Sequence, residues 1–146
     1  MDLLVRSSRA LSMPLSCHRE QSSDGAKGHI FHQTEPLGTA HAILCAKDIM
    51  DGNVIVAFAD TLFKANIQID TTTDGTIWTH RVEDPSRFGV VKLSSAGVIT
   101  EFVEKPSVFV SDMAIIGIYY FKDGARLKQE LQYLIDHNVV KGGEYQ

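Results

Sequence analysis

The run Asn53–Phe58 (NVIVAF) constrains this chain more than any other feature. After Asn53 it has no polar interruption and is rich in β-branched side chains, so it cannot present one wet face and one dry one. It reads as a central strand covered on both faces, the situation inside an α/β sheet. The segment before it supplies a cover. Ala40–Met50 is apolar nearly all round, through Ala40, Ala42, Ile43, Leu44, Cys45, Ala46 and Ile49, and reads as a buried helix. Thr39 stands where an N-cap is expected, and Asp51-Gly52 ends the helix. Upstream, His29–Gln33 reads as a short strand, followed by a loop with Pro36 and Gly38.

The alternation of strand and helix continues downstream. Ile77–Val82 and Phe88–Leu93 read as strands, Ser94–Gly97 as a turn, and Val98–Val103 as a strand pairing back in a hairpin. Ala114–Phe121 (AIIGIYYF) is another buried strand. Lys122-Asp123-Gly124 turns into a helix over Ala125–Asp136, whose inner face carries Leu127, Leu131, Leu134 and Ile135. Lys141-Gly142-Gly143 reads as a loop, and there is no internal repeat. The expected fold is α/β, with helices flanking a sheet that the hairpin makes mixed rather than purely parallel.

Composition narrows the function classes. With 146 residues, 44% of them hydrophobic and 22% charged, the chain has the length and apolar content of one globular domain. A formal net charge of -4 argues against binding a phosphate backbone, so no nucleic-acid partner is expected. No apolar run approaches a membrane span. Cys17 and Cys45 lie far apart and carry no motif, as free thiols in a reducing cytoplasm would. Arg6 and Arg9 interrupt any signal-peptide core, and no hydrophobic region precedes Leu15-Ser16-Cys17 to make it a lipidation site. Asp2, Glu20 and Asp24 count against a transit peptide, so a cytoplasmic location is expected.

Composition also breaks near residue 24. Residues 1–24 hold none of the 11 glycines, none of the aromatics and none of the lysines, yet 6 of the serines. They read either as an unstructured tail or as a segment foreign to the domain, from an altered start or reading frame. Ser22-Ser23-Asp24-Gly25 marks the boundary, and residues 25–146 carry the domain.

Three places carry candidate chemistry. Asp60 follows the Asn53–Phe58 strand, and ligands in open α/β sheets sit beyond the carboxyl ends of strands. A carboxylate there suits Mg²⁺ beside a phosphate, or a plain turn. Gln33–Thr39 (QTEPLGT) combines an amide that both donates and accepts, as a pyrimidine edge requires, with a glycine that permits close backbone approach. It also reads as an ordinary strand–helix loop. Glu104-Lys105-Pro106 closes a strand. Neighbours on a strand point to opposite faces, so only a bend before Pro106 aims Glu104 and Lys105 at one ligand; without it they are a solvated strand end. His29 and His32 lack the cysteine or carboxylate that would complete a zinc cage, and no Ser/His/Asp set, Walker loop or dinucleotide fingerprint is present.

The order of these pieces is more specific than any one of them. QTEPLGTAHAI, VIVAFADTLF, VEDPSRFGVVKLSSAGVITEFVEKP, SDMAIIGIYYF and GGEYQ together resemble the sugar-1-phosphate nucleotidyltransferases, and within them the glucose-1-phosphate thymidylyltransferase and uridylyltransferase group. The resemblance runs from about Gly25 to Gln146. It implies a partial Rossmann-like nucleotidyltransferase fold, with an NTP (dTTP or UTP) and a sugar-1-phosphate as small-molecule partners. Gln33 and the Gly38 backbone, with Thr39 beside them, resemble the group that reads uracil or thymine. Asp60 resembles the aspartate holding Mg²⁺ near the nucleotide α-phosphate, although Ala59 stands where many members have Gly. Gly89 resembles the glycine whose backbone meets the sugar, Glu104 the carboxylate that accepts sugar hydroxyls, and Lys105 the cation on the sugar phosphate. Ile115 and Tyr119 fall where the family lines the sugar pocket.

The implied reaction is attack of a sugar-1-phosphate oxygen on the α-phosphorus of an NTP, with pyrophosphate leaving and no covalent protein nucleophile. The family also opens with a glycine-rich GxGTRL loop that holds the triphosphate, and continues past GGEYQ to a second Mg²⁺-binding aspartate. Residues 1–24 resemble no such loop, so the expectation is a chain inactive by itself. The alternative is a non-catalytic module that binds a sugar nucleotide or a partner. A homo-oligomer is compatible with either.

Overall fold

The computed structural model of the chain describes residues 28–58, 64 and 68–146. The segment 1–24 therefore lies outside the described residues. Two compact units divide the chain: Met1–Thr76 with Tyr120–Gln146, and Ile77–Tyr119.

In the first unit, α1 (Thr39–Leu44) leads through a single 3-10 turn, Lys47–Ile49, to strand β1 (Val54–Ala57). The expected helix over Ala40–Met50 is thus shorter. Ala46 leaves helical geometry, and the bonds tighten to three-residue spacing, Ala46 N–H to Ile43 O (3.0 Å) and Ile49 N–H to Ala46 O (3.1 Å). The apolar pattern is indifferent to this change, since Ala42, Ala46 and Met50 stay buried throughout. Thr39 is not the cap. Gly38 takes that place without a side-chain bond, and the Ala40 N–H is met by the Tyr145 carbonyl at 3.1 Å. The strand expected at His29–Gln33 does not form either. No ladder partner stands beside it among the described residues, and the Gln33 side chain bonds forward to Gly38 instead.

Helix α2 (Gly124–Asp136) closes this unit against α1. The Asp123 carboxylate caps it, accepting from the Arg126 N–H at 2.9 Å. Its first residue must be small. A Cβ on Gly124 would lie 2.5 Å from Val54 Cγ2 and 2.9 Å from the Met50 carbonyl. Leu131 of α2 joins Ile43, Leu44, Met50, Val54, Val56 and Tyr120 in the core. The Tyr120 hydroxyl is buried with no hydrogen-bond partner among the described residues.

The second unit is built on an antiparallel hairpin. Strands β3 (Gly89–Leu93) and β4 (Ile99–Glu104) pair from Gly89 opposite Glu104 to Leu93 opposite Ile99, with a bulge at Lys92/Leu93. The expected turn forms, with Ser94 N–H on Val98 O (2.8 Å) and Gly97 at φ 76°. Strand β2 (Gly75–Arg81) enters this unit and β5 (Met113–Phe121) leaves it. The strand order is β1-β5-β3-β4, with β2 also paired to β5. Val90 faces Ala114 in an antiparallel β3–β5 pairing.

The run NVIVAF does form a strand, yet β1 ends the strand order, with β5 as its neighbour among the described residues. Val54 and Val56 are buried while Ile55 and Ala57 are half-buried. A continuous apolar run reports covered faces, not the number of paired edges, and that is why a central position does not follow from it. Among the described residues no helix is long and apolar enough to cross a membrane.

Candidate functional site

The expected site residues fall into two groups, one in each unit. Gln33, Gly38 and Thr39 belong to the first unit; Gly89, Glu104, Lys105, Ile115 and Tyr119 belong to the second. Asp60 lies outside the described residues.

In the first group the backbone is held by a distant piece of chain. Gly38 sits at φ 103°, ψ −179°, a conformation open essentially to glycine alone. Tyr145 brackets it: its N–H bonds to Leu37 O (2.8 Å) and its carbonyl accepts from Ala40 N–H. A Cβ on Gly38 would collide with the Tyr145 carbonyl and lie 2.9 Å from Glu144 Cβ. The GGEYQ segment reaches this place by a tight turn in which Gly142 and Gly143 both have positive φ (62° and 85°) and Lys141 and Glu144 exchange backbone bonds. The Tyr145 hydroxyl is tied in turn to Asn138 Oδ1 at 3.0 Å. What reads as a loop at 141–143 is therefore the bend of a clamp on Gly38.

Gln33 is fixed to the same loop. Its Nε2 donates to Gly38 O at 3.0 Å and lies 3.0 Å from His41 Nδ1. Thr39 is exposed at the start of α1. Tyr145 and His41 were not among the expected residues. His41 leaves one trace in the sequence, as the lone polar residue in the apolar stretch Ala40–Ala46. Tyr145 leaves only its place in GGEYQ, because its contact with Gly38 is made by backbone atoms.

In the second unit Gly89, Glu104, Lys105 and Ile115 are brought together, and Tyr119 feels the charge of Glu104. Gly89 and Glu104 are directly opposite in the hairpin register. A Cβ on Gly89 would lie 2.8 Å from Glu104 Oε2 and 3.6 Å from Ile115 Cδ1. The bend that the Glu104-Lys105 pair requires is present. Lys105 has φ 43°, the left-handed region, and its N–H bonds to Phe88 O at 3.0 Å. The strand therefore turns at Lys105, and its Nζ comes within 3.7 Å of Glu104 Oε1. Both side chains are at least half exposed, so this ion pair adds little to stability and leaves both heads available to a ligand. Burial pushes the Tyr119 phenol above its ordinary pKa, and the charge of Glu104 pushes it further in the same direction. Ahead of β3, Asp84 caps the short turn Pro85–Arg87, accepting from Ser86 N–H (3.1 Å) and Ser86 Oγ (2.7 Å). Those two bonds hold the Asp84 carboxyl below the usual aspartate range. Among the described residues no three or more His, Cys, Asp or Glu side chains are grouped to hold a metal ion.

A profile of the nucleotidyl transferase family matches residues 13–138. Two relatives narrow this. The catalytic subunit beta of mannose-1-phosphate guanylyltransferase from Drosophila pseudoobscura is 36% identical over 128 residues, covering 82% of this chain and 34% of the relative. A glucose-1-phosphate thymidylyltransferase from Streptomyces antibioticus is 31% identical over 147 residues, covering 84% of this chain and 41% of the relative. The chain belongs to the sugar-1-phosphate nucleotidyltransferase family. A solved Bacillus anthracis protein, provisionally named glucose-1-phosphate thymidylyltransferase and crystallised with sucrose, superposes with a TM-score of 0.57 at 24% identity, over 70% of this chain and 42% of its own. That likeness shows the fold: a Rossmann-like nucleotidyltransferase arrangement of sheet and helices. This nucleotidyltransferase-family chain spans about a third to two fifths of the length of these relatives. The profile match starts at residue 13, inside the segment 1–24.

Proposed function

We propose that the chain serves nucleotidyl transfer between an NTP, dTTP or UTP, and a sugar-1-phosphate, giving an NDP-sugar and pyrophosphate. In that reaction a sugar-phosphate oxygen bonds to the α-phosphorus while the bond to the bridging oxygen of the leaving pyrophosphate breaks. The observation that carries the reading is the convergence of Gly89, Glu104 and Lys105 in a chain of this family. An open glycine backbone, a carboxylate that accepts hydroxyl protons and a cation suited to a phosphate are what a sugar-1-phosphate needs. Gln33 and Gly38 would meet the base. When bound at Asp60, Mg²⁺ would neutralise charge at the nucleotide phosphates. A cytoplasmic location, read from two distant cysteines that carry no motif, is part of the same proposal.

The 146 residues by themselves are proposed to bind without turnover. The Drosophila relative favours a second reading of the substrates, GTP with mannose-1-phosphate. A non-catalytic sugar-nucleotide module is the alternative class. Pyrophosphate release is measured with each NTP, glucose- or mannose-1-phosphate and Mg²⁺. Turnover lost in Asp60→Ala would refute inactivity of the isolated chain. Without turnover, calorimetry with dTDP-glucose, UDP-glucose and GDP-mannose decides the substrate class. Binding lost in Glu104→Ala supports the sugar-phosphate reading, and no binding refutes it.

A further inference from the structure

Asn138 has no role in the reading above, yet it stands where α2 meets the clamp on Gly38. The helix ends on a left-handed residue. Asn138 has φ 51°, its N–H bonds to Ile135 O at 3.1 Å, and the Val139 N–H bonds to Leu134 O at 2.8 Å. This pair of bonds is the Schellman arrangement, which asks for glycine or asparagine at that position and for nothing from its side chain. The Asn138 side chain is used nonetheless. Its Oδ1 accepts from the Tyr145 hydroxyl at 3.0 Å. The main chain of the same Tyr145 holds the residues on either side of Gly38, through Leu37 O and the Ala40 N–H. The stretch between Asn138 and Tyr145 is open. Val139 and Val140 are about half exposed, a Cβ on Gly142 or Gly143 would meet nothing within 4 Å, and the Lys141–Glu144 bonds are internal to the turn. The Tyr145–Asn138 bond spans this stretch and refers the clamp to the end of α2.

We propose that Asn138 is a positioning residue: through Tyr145 it fixes the Gly38 loop relative to α2, so that the end of a helix sets the place of a ligand-binding loop. The inference rests on the reading of Gln33 and Gly38 as nucleotide contacts and adds what holds them in place. The bond joins two side chains, so its loss leaves the main-chain bonds of the clamp able to form and loosens the loop locally. Without this one hydrogen bond the loop is expected to open about fivefold more often. Asn138→Gly isolates the effect, because glycine keeps the left-handed end of α2 and lacks only the acceptor. Tyr145→Phe removes the donor from the other side. Asn138→Asp keeps an acceptor oxygen and serves as the rescue.

Two measurements test it. The first needs no ligand: amide hydrogen exchange of Ala40 and Tyr145, with Leu131 inside α2 as the control. Both clamp amides are expected to exchange about fivefold faster in Asn138→Gly and in Tyr145→Phe, Leu131 to stay unchanged, and Asn138→Asp to restore the wild-type rates. The double variant Asn138→Gly/Tyr145→Phe should exchange no faster than either single one, since both remove the same bond. Unchanged clamp amides, multiplied effects in the double variant, or an equal rise at Leu131 would overturn the proposal. The second is calorimetry with dTDP-glucose, UDP-glucose and GDP-mannose. Affinity is expected to fall about fivefold in Asn138→Gly and to return in Asn138→Asp. A loosened loop with unchanged affinity would overturn the positioning role. Absence of binding by wild type would overturn the nucleotide-contact reading and the positioning role with it, while exchange still decides whether Asn138 holds the loop.

Discussion

Gly38 and Gly89 are both glycines against which other atoms are packed, but the obstacles differ in kind. At Gly38 a methyl group would meet the Tyr145 carbonyl and the Glu144 Cβ, and the backbone stands at φ 103°. Neither obstacle can move without undoing the clamp that GGEYQ places on the loop. At Gly89 the nearest atom is Glu104 Oε2, the far end of a flexible side chain. The loop proposed to meet the base is thus held by long-range backbone bonds, whereas the group proposed to meet the sugar is held by the register of one hairpin. Substitutions in the first should cost stability; substitutions in the second should cost binding and little else.

The sharpest way to break this contrast is Gly38→Ala. Strain at a glycine-only conformation and a collision with main chain together should cost about 3 kcal/mol in urea unfolding. A loss below about 1 kcal/mol would show that the loop is not clamped. Gly89→Ala should cost under about 1 kcal/mol, because Glu104 swings aside, while calorimetry shows sugar-nucleotide binding reduced tenfold or more. Equal stability losses at the two glycines would erase the distinction.

Lys105→Asn probes the bend itself. Asparagine tolerates the left-handed region better than lysine, so stability should rise or hold within a few tenths of a kcal/mol while sugar-phosphate binding falls. The smallest effect is spectroscopic. The folded chain holds the Tyr119 proton beyond the ordinary value of 10.0, so stability should decline as pH rises from 10.0 through the raised value. In Glu104→Gln the phenolate absorbance should appear at lower pH than in wild type. It should still appear above 10.0, since burial is the larger cause. No movement in that variant would separate Tyr119 from Glu104.

The contrast also explains what could be read from the sequence. The β3–β4 hairpin depends on neighbours in the chain, with alternating strands on either side of a Ser-Ser-Ala-Gly turn, and its pairing placed Gly89 opposite Glu104. Adjacent strand residues diverge, so aiming Glu104 and Lys105 at one ligand requires a bend, and φ 43° at Lys105 supplies it. Buried Ala42, Val54, Val56 and Leu131 follow from periodicity and run length in the same way. The first unit was less legible. The start of α1 is settled by a contact distant in sequence, the Tyr145 carbonyl on the Ala40 N–H. The Tyr145 clamp acts through main-chain atoms, which no side-chain pattern encodes. Asp60 lies outside the described residues, so its place rests on the resemblance in VIVAFADTLF.

On the proposed function, a sugar nucleotide is gripped through Glu104 in the hairpin unit. Calorimetric titration of dTDP-glucose and UDP-glucose into the wild-type chain and Glu104→Ala tests it most directly, with thermal unfolding run alongside. Saturable binding by wild type, a loss of tenfold or more in the variant, and an unchanged unfolding transition are expected, because Glu104 is exposed and weakly paired. Equal affinity in the two proteins, or no binding to wild type, would contradict it.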